Sequence, residues 1–405
     1  MINVLYISYD GMTDPLGQSQ VLPYLQELTK EGFHFTILSF EKKQRLEKEG
    51  ALIRSITEKA GIEWVPLSFT SKPPVISKIY DRFRLWKKAV SLYKKNGFKI
   101  VHCRSYVAAE AGLRLKKKYG VKFLFDMRGF WADEKVDNGQ WDLSKPFFKR
   151  IYNYYRKKEK EFLLQADGIV TLTKASKSYL LSQPGYEKLN LEVIPCCADL
   201  EHFDYHNEDK IKGAALRKQL GIPNESKVVT YLGSVGGWYM TKEMFRFFAL
   251  LLRHDSLYHM LILTKDEPTH VKEEATFFGI PSNKISITYS DRINLPQYLA
   301  LSKFSIFFIR NTFSKIASSP TKHAELMGMG IPVVCNDIGD TGHIITDTGS
   351  GIIINDFDEI SIANAIRDLE TFEILSKEKI RSEALKYFDL HSGSNSYYKL
   401  YKRLV

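Results

Sequence analysis

Short apolar runs rich in β-branched and aromatic residues alternate along this chain with longer stretches whose apolar positions recur every three or four residues. The first pattern marks strands buried on both faces, the second amphipathic helices. Residues 3–9 read as a strand, followed by a loop at 10–18, a helix over 19–30 stopped by Gly32, and a strand at 33–40. A charged helix at 42–60, a strand at 63–67, a long basic helix at 75–96 ended by Gly97 and a strand at 99–103 come next. Helix 107–119, strand 122–126, helix 145–166, strand 168–172, helix 175–182 and strand 191–195 complete the first half. The pattern restarts beyond residue 203, with strands at 227–232, 259–263, 285–289, 304–309, 332–335 and 351–354. Helices at 214–220, 242–252, 271–278, 295–301 and about 320–329 separate them, and helices at 360–375, 377–388 and 394–405 end the chain. Regular alternation of this kind predicts doubly wound sheets, in two successive α/β halves.

The most informative stretch is residues 318–336. Ser319 suits a helix N-cap, Pro320 the first helical position, and Gly330 the C-terminal stop. A helix so placed turns the free N–H groups of Thr321 and Lys322, and the positive end of its dipole, toward an anionic ligand. Lys322 adds a full charge, and the preceding loop brings Arg310 and Lys315. Glu325, four residues after Thr321, lies on the same side, where a carboxylate can accept hydrogen bonds from a ribose diol. The plain alternative is an ordinary capped helix with a solvated lysine.

Composition adds compartment and surface. A chain of 405 residues is long for one core, so two or three domains are expected. Residues 2–8 are too short for a signal sequence and no apolar run approaches a membrane span, while four scattered cysteines suit neither a disulfide framework nor a metal cage. A reducing cytoplasm is the expected location. The net charge of +11 concentrates between residues 72 and 160, among tyrosines and phenylalanines. Such a surface suits an anionic membrane face or a polyanion, against the plain alternative of a solvated basic face. No zinc-finger or RNA-recognition signature accompanies it, so no nucleic-acid partner is expected. The first β-α-β unit lacks the Gly-x-Gly-x-x-Gly fingerprint, which disfavours a dehydrogenase. Asp356 and Asp358 imitate an Asp-x-Asp metal motif, but Asp358 is placed to cap the next helix and no metal is expected. His102, at a strand end, reads as a buried histidine rather than a site residue.

Residues 319–325 with 330–334 resemble the donor-binding signature of GT-B glycosyltransferases, the nearest group being the retaining enzymes of glycosyltransferase family 4. Three other places are similar to the family: residues 14–20 before the first helix, the hinge-like run from Val193 to Phe203, and Tyr231 to Ser234 at the opening of the second half. The resemblance implies a GT-B fold, two Rossmann-like domains facing across a cleft. Residues 1–197 would form the acceptor domain, 198–388 the donor domain, and 389–405 a helix packing back on the first. It implies a hexose-type transfer with retention, from UDP- or GDP-sugar to an acceptor hydroxyl. The acceptor would be a lipid-linked or polysaccharide glycan in cell-surface polysaccharide synthesis, with no cofactor. The enzyme would be cytoplasmic and peripheral on the inner membrane face.

By the same resemblance Glu325 would hold the ribose, Ser319, Thr321 and Lys322 the diphosphate, with Arg310 and Lys315 as further cations. Gly17 would bring backbone amides to the sugar phosphate, Ser234 and Gly236 would border the donor, and residues 290–292, Arg292 included, would meet the base largely through backbone. Two departures stand out. The position that often carries a sugar-contacting glutamate is Ala317, and the position that often carries histidine is Arg128, suited to the sugar, to an acceptor phosphate or to an ion pair with Asp126 or Asp133. A nucleotide-sugar epimerase of the same fold and a non-catalytic polyanion binder are the rival readings.

Overall fold

The computed structural model describes residues 2–405, with the side chains at 74 and 75 left aside. The chain forms two compact units, residues 1–197 with 390–405 and residues 198–389. In the first unit the strands are β1 Ile2–Ser8, β2 Phe33–Glu41, β3 Glu63–Ser68, β4 Ile100–Arg104, β5 Lys122–Asp126, β6 Gly168–Thr171 and β7 Leu191–Val193. They pair in the order β3-β2-β1-β4-β5-β6-β7. The second unit holds β8 Lys227–Leu232, β9 Tyr258–Leu263, β10 Ile285–Thr288, β11 Ser302–Phe307, β12 Val333–Cys335 and β13 Gly351–Ile353, in the order β10-β9-β8-β11-β12-β13. The pairings are parallel, and each strand is joined to the next through helices. Parallel strands covered on both faces have no water-facing side, which is why Val4, Leu5, Tyr6 and Ile7 are all buried.

The helix expected over 19–30 is two, Pro15–Gln20 and Leu22–Lys30, divided at Val21 (φ −126°, ψ −64°). Pro23 has no N–H to give the carbonyl four residues earlier, so a continuous ladder is not available. Two helices that the pattern does not announce are Trp131–Asp137 and Thr341–Thr348. The second is rich in threonine and isoleucine, weak helix formers, and is held by burial of Ile344 and Ile345. The helix expected over 360–375 stops at Asp368 and continues as a 3-10 turn, Leu369–Glu373.

In the last helix, Leu390–Leu404, Tyr397, Leu400, Tyr401 and Leu404 fall on one buried stripe. Tyr397 meets Tyr24 edge to face, and Tyr401 meets Phe33. Gly393 allows the approach: a Cβ there would lie 2.7 Å from Cys197 Sγ. Arg381, on the helix Lys377–Phe388, donates to the carbonyls of Phe203, Gly328 and Leu200 and pairs with Asp204. It thereby fixes the chain's entry into the second unit.

Candidate functional site

In an open α/β sheet the crevice for a ligand opens at the carboxyl ends of the two strands between which the winding reverses. In the second unit those strands are β8 and β11. The residues after β8 form the glycine-rich turn 233–237, and those after β11 lead to the helix Thr321–Gly328. The helix starts one residue later than expected, with Pro320 in the N-cap conformation (φ −73°, ψ 118°) and no side-chain cap. Pro320 is itself extended, so the first helical residue is Thr321 and the serine stands outside the helix. At the other end Gly330 adopts φ +65°, its N–H donates to Met327 O, and that of Ile331 to Leu326 O, a double closure that stops the helix.

Burial changes the character of this short helix. Lys322 is only 7% exposed, and its Nζ has no hydrogen-bond partner. It lies 3.6 Å from the ring centre of Tyr239 and 4.5 Å from that of Tyr231. A Cβ at Gly233 (φ +125°) would come within 2.7 Å of it, so the turn after β8 must be glycine for the ammonium to lie there. Burial holds the Lys322 ammonium well below the ordinary lysine range, against the opposing pull of Glu325. Glu325 is buried too, and burial raises its carboxyl although Arg292 opposes the shift. A buried lysine nitrogen at a helix N-terminus, resting on aromatic faces and without a hydrogen-bond partner, is a polar group an anionic ligand could satisfy.

Of the other expected donor-site residues, Lys315 is brought in and several are placed differently. The loop after β11 contains a 3-10 turn, Phe313–Ala317, which buries Lys315 with its ammonium 3.8 Å from the ring centre of Trp238. Consecutive aromatic residues thus cover the two lysines. That pair is anchored: Trp238 O accepts from Arg310 N, and Met240 N donates to Phe308 O. The sequence signal for it is an aromatic pair directly after a glycine run. The Arg310 side chain is exposed, Thr321 and Ser319 are half-buried, and Ser234 is exposed. The Gly236 amide is engaged by Thr241 Oγ1 at 2.7 Å. Arg292 brings its side chain rather than only its backbone, with Nη1 2.7 Å from Glu325 Oε1.

In the first unit the reversal lies between β1 and β4. Asp126 ends β5 in a buried cluster with His102 Nε2 at 3.5 Å, Tyr397 Oη at 3.3 Å and Arg128 Nη1 at 3.9 Å. Arg128 sits at φ +59°, a backbone region unusual for a side-chain-bearing residue, and reaches Cys196 Sγ at 3.3 Å. Asp133 is engaged instead by Arg156 and Tyr152. Desolvation presses on the Asp126 carboxyl, but Arg128 and His102 hold it below the usual range, while burial keeps His102 below its own.

Gly17 is buried in the helix Pro15–Gln20, and a Cβ on it would strike Gly11 O at 2.3 Å and Met12 Cα at 2.6 Å. Its bareness therefore lets backbone pack on backbone. Glu41, unremarked in the sequence, accepts from Met12 N, Thr13 N, Thr13 Oγ1 and Ser39 Oγ and so anchors that loop. Asp358 caps its helix through Ser361 N, and no cluster of three metal-ligating side chains exists among the described residues.

The comparisons with known proteins agree with this architecture. The profile described as Glycosyltransferase Family 4 matches residues 18–202, and that described as Glycosyl transferases group 1 matches residues 214–386. A glycosyltransferase from Rickettsia africae superposes with a TM-score of 0.71 at 18% identity, over 100% of this chain and 98% of that one. Anabaena Alr3699/HepE in complex with UDP and glucose superposes with a TM-score of 0.70 at 12% identity, over 99% and 100%. These likenesses establish the fold as GT-B, two Rossmann-like domains. With both profiles matched in sequence order, the chain belongs to the family 4 type of GT-B glycosyltransferases. D-inositol 3-phosphate glycosyltransferase of Salinispora arenicola is 23% identical over 273 residues, 64% of this chain and 58% of that relative. The match thus spans less than two thirds of the relative's length.

Proposed function

We propose that this protein transfers a hexose-type sugar, with retention, from a UDP- or GDP-sugar to an acceptor hydroxyl on a lipid-linked or polysaccharide glycan. The observation that carries the reading is the buried, hydrogen-bond-free ammonium of Lys322 at the head of the helix Thr321–Gly328. As the glycosidic bond breaks, the leaving diphosphate gathers negative charge. Lys322, Lys315 and the first amides of the helix stabilise that charge, and Glu325 holds the ribose. A departing phosphate oxygen takes the acceptor proton, so no separate base is needed. The donor is held by the second unit and the acceptor by the first, with Arg128 toward the acceptor. No metal takes part.

The test is a thermal-shift screen over nucleotides and nucleotide-sugars, followed by transfer assays with the donor that stabilises the protein. Conversion of donor without acceptor would instead favour an epimerase. Salt-sensitive polyanion binding without nucleotide affinity would favour a binding protein.

The same reading puts the acceptor at an anionic membrane surface, on the inner face, and one exposed stripe supports it. In the basic helix Pro74–Asn96, Ile76, Ile79, Tyr80 and Phe83 form an exposed stripe, each more than half exposed. Asp81, the helix's lone acid, is fully buried, and seven lysines and arginines accompany it. Arg82 donates to Tyr154 on the helix Pro146–Gln165, which presents Phe147 to solvent beside Lys149 and Arg150. Apolar side chains framed by cations suit the interface of an acidic bilayer. No described helix is long and apolar enough to cross a membrane. Flotation with liposomes containing or lacking anionic lipid tests this, and binding indifferent to lipid charge removes it.

A further inference from the structure

If Glu325 accepts the ribose hydroxyls, the reading on which this inference rests, it must meet them as an ionised and oriented carboxylate. Its surroundings oppose the first requirement, since the side chain is 6% exposed. Arg292 answers both needs. Its Nη1 lies 2.7 Å from Glu325 Oε1, its guanidinium stacks 5.0 Å from the ring centre of Phe203, and its carbonyl oxygen lies 2.8 Å from His202 Nε2. Phe203 is fully buried, and its own carbonyl accepts from Arg381 at 2.8 Å. The path from Arg381 through Phe203 and Arg292 to Glu325 is a continuous run of packed and hydrogen-bonded groups.

We propose that Arg292 is the positioning residue for ribose recognition: seated on Phe203 and held by His202, it engages one oxygen of Glu325 and fixes where the other points. The preference for ribonucleoside over 2′-deoxyribonucleoside diphosphates is thereby set from outside the phosphate-binding helix. Lys322 and His202 are the other charged or titratable groups acting on Glu325. Lys322 is suited to the diphosphate, and His202 holds the Arg292 backbone, which leaves the guanidinium as the carboxylate's partner.

Calorimetric binding of UDP, GDP and their 2′-deoxy counterparts tests this on the wild type, Arg292→Gln and Arg292→Lys. The wild type is expected to favour one ribonucleotide over its deoxy form at neutral pH, where Glu325 is ionised beside Arg292. In Arg292→Gln that preference shrinks about tenfold, the worth of one charge-assisted hydrogen bond. It recovers as pH rises, because the carboxyl deprived of its guanidinium ionises later. Arg292→Lys, which keeps the charge but loses the fork, gives an intermediate ratio. A purely structural role would weaken ribo and deoxy forms alike, and an unmoved ratio overturns the proposal. Should Arg292→Gln fail to fold, the lysine variant decides, since a wild-type ratio there also overturns it. A wild type that binds neither UDP nor GDP overturns the reading of the site itself, a separate outcome.

Discussion

Tyr401 Oη lies 2.6 Å from His102 Nδ1, joining residues 299 positions apart in the chain. Tyr401 is fully buried among Phe33 and Phe35, and His102 turns its other ring nitrogen toward Asp126. The last helix thus completes both the core of the first unit and the support beneath its strand ends.

Tyr401→Phe leaves the buried Nδ1 of His102 without its hydroxyl. The first unit is expected to lose about 1–3 kcal/mol, the cost of stranding a buried polar group. Denaturant titration followed by fluorescence measures it, and a midpoint equal to the wild type's would show that the bond adds nothing.

Lys322→Ala separates stability from activity. Turnover is expected to fall about 10²- to 10³-fold, as when one donor to a developing charge is removed. Without nucleotide Lys322→Met, which keeps the buried stem, should melt no lower than the wild type, because the deleted ammonium is buried and lacks a hydrogen-bond partner. Turnover within twofold of normal would remove Lys322 from the mechanism.

Gly17→Ala has a steric cost. The new methyl would meet the backbone of residues 11–12, which Glu41 holds in place. A loss of about 1–3 kcal/mol is expected, typical of overpacking, with the loop displaced. Thermal melting of the variant reads it directly.

His323 sets a pH dependence. Its ring is fully buried between Phe307 and Phe388, neither nitrogen has a hydrogen-bond partner, and burial pushes its pKa from 6.5 down to about 4. The folded ring stays neutral while the unfolded chain takes up a proton, so stability falls as pH drops from 6.5 to about 4 and levels off below. The contribution is about 3 kcal/mol across that window. His323→Leu should flatten the slope relative to the wild type, leaving the parts due to His259, which burial also holds at about 4, and His102, which burial lowers too. Parallel slopes for variant and wild type would show that His323 does not titrate in this way.

Most of the fold is legible along the chain because parallel strands covered on both faces leave continuous apolar runs, and Gly97, Gly120 and Gly221 mark helix ends with positive φ. The helix Thr341–Thr348 is not legible, since its residues favour other states and only packing holds it. The helix Thr321–Gly328 shows in outline, but its start moves by one residue because Pro320 itself is extended and takes the N-cap position. Glu325 and Lys322 can be picked out by their spacing. Their condition cannot: neither the loss of water around both nor the guanidinium on the carboxylate leaves a local trace.

By itself the sequence determined the two α/β halves, the short helix stopped by Gly330 and the lysines at 315 and 322, because those follow from local periodicity, the glycine stop and residue identity. The tertiary structure decided which groups meet: Lys322 with Tyr239, Arg292 with Glu325, Tyr401 with His102. The reason is physical. Desolvation and ion pairing depend on neighbours brought together by folding, and in these three pairs the partners stand 83, 33 and 299 residues apart.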